Sequence, residues 1–245
     1  MSLPDDSSGD ENTSFPKKQI VASTPPENSG KPIDLRYVAY NEDITICGAK
    51  NSGKSYLANE LLKSLNGVSV FVWDFNHQFH DARSILCHDL TELLEIYDVA
   101  KRGHYILQAY DFSQSAFEKF CEECFKRSNI VIIFDELHNF VSKQSIIRPF
   151  QNLVLSGRPR GLSLISISTR PASLPNAVLS NSNHVFCFRL NIASDVKFLE
   201  TWMGSEVWQL MPKNKRVKHI DLPELPEHTF FYRNQSLPTG EIGKV

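Results

Sequence analysis

No stretch of this 245-residue chain approaches the run of about 18 apolar residues that a membrane-spanning helix needs, so none is expected. The first residues lack the basic-then-apolar pattern of a secretory signal, so none is expected there either. Cysteine is scarce and odd in number, five in all, which argues against a disulfide framework and for a reducing compartment. Charge of neither sign is in excess: 26 Lys and Arg stand against 28 Asp and Glu. Bulk charge therefore gives no reason to expect a polyanionic partner. Internal repeats are absent too, which excludes a solenoid or propeller.

What is present begins with Gly48-Ala49-Lys50-Asn51-Ser52-Gly53-Lys54-Ser55, which fits the phosphate-loop pattern G-x-x-x-x-G-K-[ST]. Ile44 to Cys47 reads as a buried strand entering it, and Tyr56 onward as the helix leaving it. Glycine lets the backbone wrap a polyphosphate, and N–H groups at a helix start point at the anion. ATP and Mg²⁺ are the cofactors this pattern implies. Residues 48–55 and Tyr56 would surround the phosphates, Lys54 would reach the β- and γ-phosphates, and Ser55 would hold Mg²⁺.

Residues 1 to about 32 read as a disordered tail, rich in Ser, Pro, Asp, Glu, Asn and Lys. Residues 33–204 read as the core, and 205–245 as a C-terminal extension packed on it. Beyond the tail, charges balance, but their distribution is uneven. Leu137 to Ser194 contains no Asp or Glu, yet holds Lys143, Arg148, Arg158, Arg160, Arg170 and Arg189. Either a local anion, such as nucleotide or DNA phosphates, meets these six bases, or acids folded nearby offset them.

Strand and helix patterns alternate. Apolar strand runs are Ile44 to Cys47, Val68 to Trp73, Tyr105 to Ala109, Ile130 to Phe134, Leu162 to Ile167 and Val185 to Leu190. Helical patterns are Lys54 to Ser64, Leu90 to Lys101, Ser115 to Arg127, Ile146 to Leu155, Ala193 to Met203 and Glu206 to Met211. Short strands follow around Val217 to Leu222 and Thr229 to Tyr232. The order predicts an α/β fold: a mostly parallel sheet with helices on both faces.

The strand Ile130 to Phe134 ends in Asp135-Glu136. An acid there would hold the Mg²⁺ shell, and the following Glu136 could polarise a water for in-line attack on the γ-phosphate. Asp74 also ends a strand, where ligands of open α/β sheets gather. Asp111 reads equally as a helix cap. Trp73, Phe75, His77 and Phe79 read as packing first and base or DNA contact second. Cys121 and Cys124 fall inside a helical pattern without a second ligand pair, and read as structural.

Gly157-Arg158-Pro159-Arg160-Gly161-Leu162, the strand through Ile167, and Ser168-Thr169-Arg170-Pro171-Ala172 carry a resemblance. With Asp74, Asp135-Glu136 followed by His138, and Val185 to Leu190, they resemble the FtsK–HerA superfamily of DNA-pumping ATPases. The resemblance spans roughly residues 40 to 203. It implies a RecA-like core of the ASCE type, with the Leu162 to Ile167 strand inserted between the phosphate-loop strand and the Asp-Glu strand. The family's polar sensor position, commonly Gln, is Thr169 here.

The resemblance further implies a homo-oligomeric ring, commonly a hexamer, with ATP sites between neighbours. Arg158 matches the arginine that enters the next subunit's site; Arg160 and Arg170 are alternatives. Arg189 could act within its own subunit or anchor a strand end. The lack of large extra domains looks like the genome-packaging ATPases of membrane-containing icosahedral double-stranded DNA viruses. That implies non-specific duplex DNA as partner, a capsid or membrane-vertex protein as a second one, and a cytoplasmic or virion-vertex location. Lys143 and Arg148 are the expected DNA contacts, with Lys213, Lys215, Arg216 and Lys218 as the rival surface. A plasmid or cellular HerA-like pump, a nucleotide-dependent assembly switch and a kinase are the competing classes.

Overall fold

The computed structural model describes residues 42–216, 224–234 and 241–244. The expected tail, the strand around Val217 to Leu222, and Lys218 lie outside these residues.

Among the described residues the chain forms one nine-stranded sheet. The strands are β1 (Ile44–Cys47), β2 (Ser69–Trp73), β3 (Ser84–Cys87), β4 (His104–Leu107), β5 (Ile130–Phe134), β6 (Leu162–Ser168), β7 (His184–Phe188), β8 (Thr229–Asn234) and β9 (Glu241–Lys244). Their spatial order is β3-β4-β2-β5-β6-β1-β7-β8-β9. From β3 through β7 every pairing is parallel; β8 and β9 add on antiparallel. The expected insertion is present: β6 lies between β5 and β1. Among the described residues of the C-terminal segment, β8 and β9 continue the same sheet.

Alternation along each strand splits the core into two. On β5, Ile130, Ile132 and Phe134 face one side, while Val131 and Ile133 face the other. Helix α1 (Lys54–Ser64) covers the second side with Leu57, Ala58, Leu61 and Leu62. The first side takes α2 (Leu90–Ala100), α3 (Gln114–Phe125), α4 (Arg148–Ser156), α5 (Asn176–Asn181) and α6 (Ala193–Met203). Both faces of the central strands are thus covered, which is why they read as continuous apolar runs.

The first side is dominated by aromatics. Trp73 at the end of β2 meets Phe112, Phe117 and Phe140 edge-on, with ring centroids 4.9 to 5.4 Å apart. Trp73 and Phe79 are fully buried, so packing is their role; Phe75 is half-buried and His77 exposed. Cys121 and Cys124 are buried on α3 within this core, and burial raises both thiols far above their ordinary range. Ser113, not Asp111, caps α3, accepting from Ala116 N. Asp111 braces that cap by accepting from the Ser113 amide and hydroxyl.

Candidate nucleotide site

The loop between β1 and α1 hangs from the exits of the two flanking strands. Gly48 N donates to Ser168 O at 3.2 Å, and Ala49 N donates to Arg189 O at 2.7 Å. A Cβ on Gly48 would lie 2.6 Å from both Phe188 Cβ and Ser52 Oγ, so only glycine fits. Gly53 turns the chain into α1 at φ +110°.

Inside this cradle sit donors with little to bind. Lys54 is 5% exposed, and among the described residues its ammonium donates only to Ala49 O, at 2.9 Å. Burial lowers its pKa, partly offset by Glu136, Cys47 and Asp135. The Ser52 hydroxyl is buried without a hydrogen-bond partner among the described residues. A buried cation, an orphan hydroxyl and a glycine-shaped cradle at a helix start fit a polyphosphate. The loop opens into a cleft of about 1020 Å³, lined by residues 49–56 together with Gln78, Glu136, Thr169, Arg170 and His228.

The two acids after β5 differ in setting. Asp135 is 2% exposed, lies behind the cleft wall, and accepts from Asn76 N at 3.1 Å. Burial, then the neighbouring Glu136 charge, pushes its carboxyl up to about 6. A nearby cation would offset that burial, and Asp135 and the Ser55 hydroxyl are the residues that would hold Mg²⁺. Glu136 faces the cleft from a left-handed backbone, φ 46° and ψ 45°. For a non-glycine residue that costs on the order of 1–3 kcal/mol and is typical of functional sites. Its Oε2 accepts from the Thr169 hydroxyl at 3.1 Å and lies 3.2 Å from His138 Nδ1. His138 Nε2 is 3.3 Å from Thr169 Oγ1, and burial lowers its pKa. The Glu136, His138 and Thr169 side chains cluster at the exits of β5 and β6, with the Thr169 hydroxyl donating to Glu136 and lying within reach of His138 Nε2.

The arginines separate. Arg170 lines the chain's own cleft, and its Nε donates to Asp195 at 3.1 Å. Asp195 is 1% exposed and also accepts from Ala172 N. Arg189 supplies its carbonyl to the phosphate loop, while its guanidinium meets Glu227 at 3.2 Å. Arg160 packs over the Phe125 ring and donates to the carbonyls of Lys126 and Arg127. Arg158 lies in the turn before β6 and donates to Asn183 Oδ1 at 2.8 Å. Thr169 follows the far end of that 7-residue strand, so Arg158 stands roughly 20 Å from its own cleft.

Of the six bases in the acid-free stretch, Arg170 and Arg189 therefore find acids from outside it. Lys143 and Arg148 lie on separate features. The Lys143 ammonium sits 3.8 Å over the Phe198 ring of α6, and Arg148 lines a hollow with Glu122, Lys126 and Asn152. Both residues are exposed. Lys213 and Lys215 of the rival cluster are exposed as well.

Sequence reasoning missed Gln78, Asn76 and Asp195 as site residues, and had His138 only as part of a motif. Asp195 stands just past the acid-free stretch, and its pairing with Arg170 is a contact 25 residues apart that no local pattern reveals.

Fold and site define a P-loop ATPase domain. A family model described as AAA domain matches residues 41–170, just over half of the chain, and the chain belongs to that family. The fold is similar to that of the genome packaging NTPase B204 from Sulfolobus turreted icosahedral virus 2. With B204 in complex with sulfate, the TM-score is 0.64 at 19% identity, over 84% of this chain and 98% of that one. With its ATP-gammaS complex the TM-score is 0.63 at 18% identity, over the same shares of both chains. The pCW3 conjugation coupling protein TcpA, in a monomer form with ATPgS, gives 0.51 at 16% identity over 94% of this chain and 66% of that one. No curated protein matches the sequence. The fold implied by the FtsK–HerA resemblance is the one observed.

Proposed function

We propose that this chain is an ATP-driven translocase of double-stranded DNA that works as a homo-oligomeric, hexameric ring and packages a viral genome into a preformed capsid. One observation carries the proposal. Glu136 and Thr169 are set together over the phosphate loop, while Arg158 stands a strand's length away, at the opposite ends of the strands. A site with a water-activating acid, and a candidate finger unable to reach it in the same chain, is suited to completion by a neighbouring subunit.

In this reading Gly48 to Tyr56 hold the ATP phosphates, with Lys54 on the β- and γ-phosphates. Ser55 and Asp135 hold Mg²⁺, which would neutralise charge developing on the phosphate oxygens. Glu136 takes a proton from the attacking water, and Thr169 fixes its carboxylate. Arg158 of one subunit stabilises the charge on the transferring phosphoryl group in the next. Arg170, bound to Asp195 within its own cleft, is better suited to the chain's own nucleotide than to a neighbour's. Lys143 and Arg148 contact DNA phosphates without reading sequence. A capsid or membrane-vertex protein is the further partner, and the virion vertex the working location. The likeness to the genome packaging NTPase B204 supports packaging over other DNA pumping.

Steady-state ATP hydrolysis with and without linear double-stranded DNA tests the proposal. Turnover that rises with DNA is the expected result. Tight ATP binding without turnover would favour an assembly switch and sink the motor reading.

A further inference from the structure

The hydroxyl of Ser55 does not meet Asp135; it donates to the side-chain carbonyl of Gln78, with Oγ and Oε1 2.5 Å apart. One Asp135 oxygen, Oδ2, accepts from the Asn76 amide. A hydroxyl has one hydrogen and two lone pairs. With its hydrogen held by Gln78, the lone pairs of Ser55 are left for a cation.

The loop carrying Gln78 is built for this placement. Asp74, fully buried at the end of β2, accepts from Gln78 N at 2.8 Å, Phe79 N at 3.2 Å and Gln108 Nε2 at 2.7 Å. Phe79 plugs the core under α1, and His77 takes a left-handed φ of 55° to make the turn. From α1, Asn59 donates to Gln78 O at 3.0 Å and to Ser55 O at 2.9 Å, and accepts from His80 N. The backbone of Gln78 is thus fixed by Asp74 and by Asn59, and its side chain reaches the cleft at Ser55.

Resting on the ATP site proposed above, we propose that Gln78 is a positioning residue for the metal. Its carbonyl fixes the Ser55 hydroxyl rotor so that an oxygen lone pair faces the divalent cation that accompanies ATP. Groups behind a metal ligand orient it, and their loss typically costs 10- to 100-fold in metal affinity. Asp74 and Asn59 act one step further out, by holding the loop that presents Gln78.

The test is the affinity for a fluorescent ATP analogue, measured with saturating Mg²⁺ and again with EDTA. Gln78→Met keeps the side chain's length without the carbonyl. Gln78→Glu keeps an acceptor that cannot donate. In EDTA Gln78→Met should bind as the parent does, while Gln78→Glu, which adds a charge beside the phosphates, is compared only by the size of its Mg²⁺-dependent gain. With Mg²⁺ the parent should gain affinity, Gln78→Glu should keep that gain, and Gln78→Met should lose roughly 10-fold or more of it. Thermal melts in EDTA should coincide, since the loop is held through its backbone. A Gln78→Met protein with the parental Mg²⁺ gain would overturn the assignment while leaving the ATP site intact. So would a Gln78→Glu protein that loses as much as Gln78→Met. A parent that shows no Mg²⁺-dependent gain would overturn the ATP–metal reading itself, and this proposal with it.

Discussion

Thr169 donates its hydroxyl to Oε2 of Glu136 at 3.1 Å, tying the exit of β6 to the exit of β5. The two strands are paired neighbours, with Phe134 opposite Ser166, so the residues after them emerge side by side. A threonine is short for a position that holds glutamine in the resembling family. Adjacency of the strands makes its reach sufficient for the carboxylate. The cost is borne by Glu136, which takes a left-handed backbone to turn back toward it.

Thr169→Ala should therefore lower kcat by roughly 10- to 100-fold, the range that misplacing a reacting group produces, with little change in KM. Thr169→Ser keeps the donor and should retain most of the rate. If the alanine and serine variants turn over equally, the hydroxyl has no part in holding Glu136.

The phosphate loop and the acid should separate cleanly. Lys54→Ala removes the buried cation that faces the polyphosphate and should abolish tight ATP binding. Glu136→Gln keeps an acceptor for Thr169 and should retain binding while losing hydrolysis. Equilibrium binding and phosphate release on the same preparations decide the matter; parental hydrolysis by the Glu136→Gln protein would remove Glu136 as the base.

Much of this architecture is legible in the sequence because both faces of the central strands are covered. β1, β5, α1 and α6 fall on their expected limits, as continuous apolar runs or complete helical stripes. The elements missed are those the physics leaves unmarked. β3 is a four-residue edge strand whose two middle residues, Ile85 and Leu86, are exposed. α5 is six polar-flanked residues between Pro175 and Asn183. β9 holds a glycine and takes its place only by pairing with β8. In the site, Lys54, Ser55 and the Asp135-Glu136 pair are motif residues and could be read directly. Gln78 could not, because its place depends on Asp74 and Asn59 folding the loop back onto α1.

Arg158→Ala should lower turnover by roughly 10³-fold or more, within the range for finger arginines, without weakening ATP binding much. Its exposed guanidinium lies at the amino-terminal end of β6, away from its own phosphate loop. Mixing Arg158→Ala subunits with Glu136→Gln subunits would create some interfaces with both residues intact. Hydrolysis should return in such rings. Continued silence in rings shown to be mixed would mean that Arg158 does not act across subunits.

For DNA, two of the six bases are already matched by Asp195 and Glu227, which leaves Lys143 and Arg148 among the accessible ones. Replacing both with Gln should reduce DNA-stimulated ATPase and flatten its salt dependence, by about one unit of log–log slope for each phosphate no longer neutralised. Basal ATPase should stay near the parental rate. Glutamine is preferable to alanine because Lys143 also covers the Phe198 ring. Full DNA stimulation with an unchanged slope would shift the assignment to Lys213, Lys215 and their neighbours.

Near Arg158, a partly buried carboxyl sits at the amino-terminal ends of β1 and β6. Asp43 precedes β1 and accepts from Leu164 N at 2.8 Å, while its own amide donates to Asn183 Oδ1, the atom that also receives Arg158. Burial pushes the Asp43 carboxyl from 3.8 up to about 6, against the smaller opposing effects of the Leu164 amide and Arg158. A carboxyl whose folded pKa is raised binds its proton more tightly in the folded state. Its stabilising contribution is complete below the unfolded pKa near 4 and is lost as pH rises through about 6. Asp43→Asn keeps an acceptor for Leu164 and cannot ionise. Measured by chemical denaturation between pH 4 and 7 in EDTA, the parent should therefore lose stability relative to the variant as pH rises. The difference between the two plateaus should be on the order of 2–3 kcal/mol. Other carboxylates titrate equally in both proteins, so the difference isolates Asp43. Parallel pH profiles would show that its carboxyl ionises as freely in the folded chain as in the unfolded one.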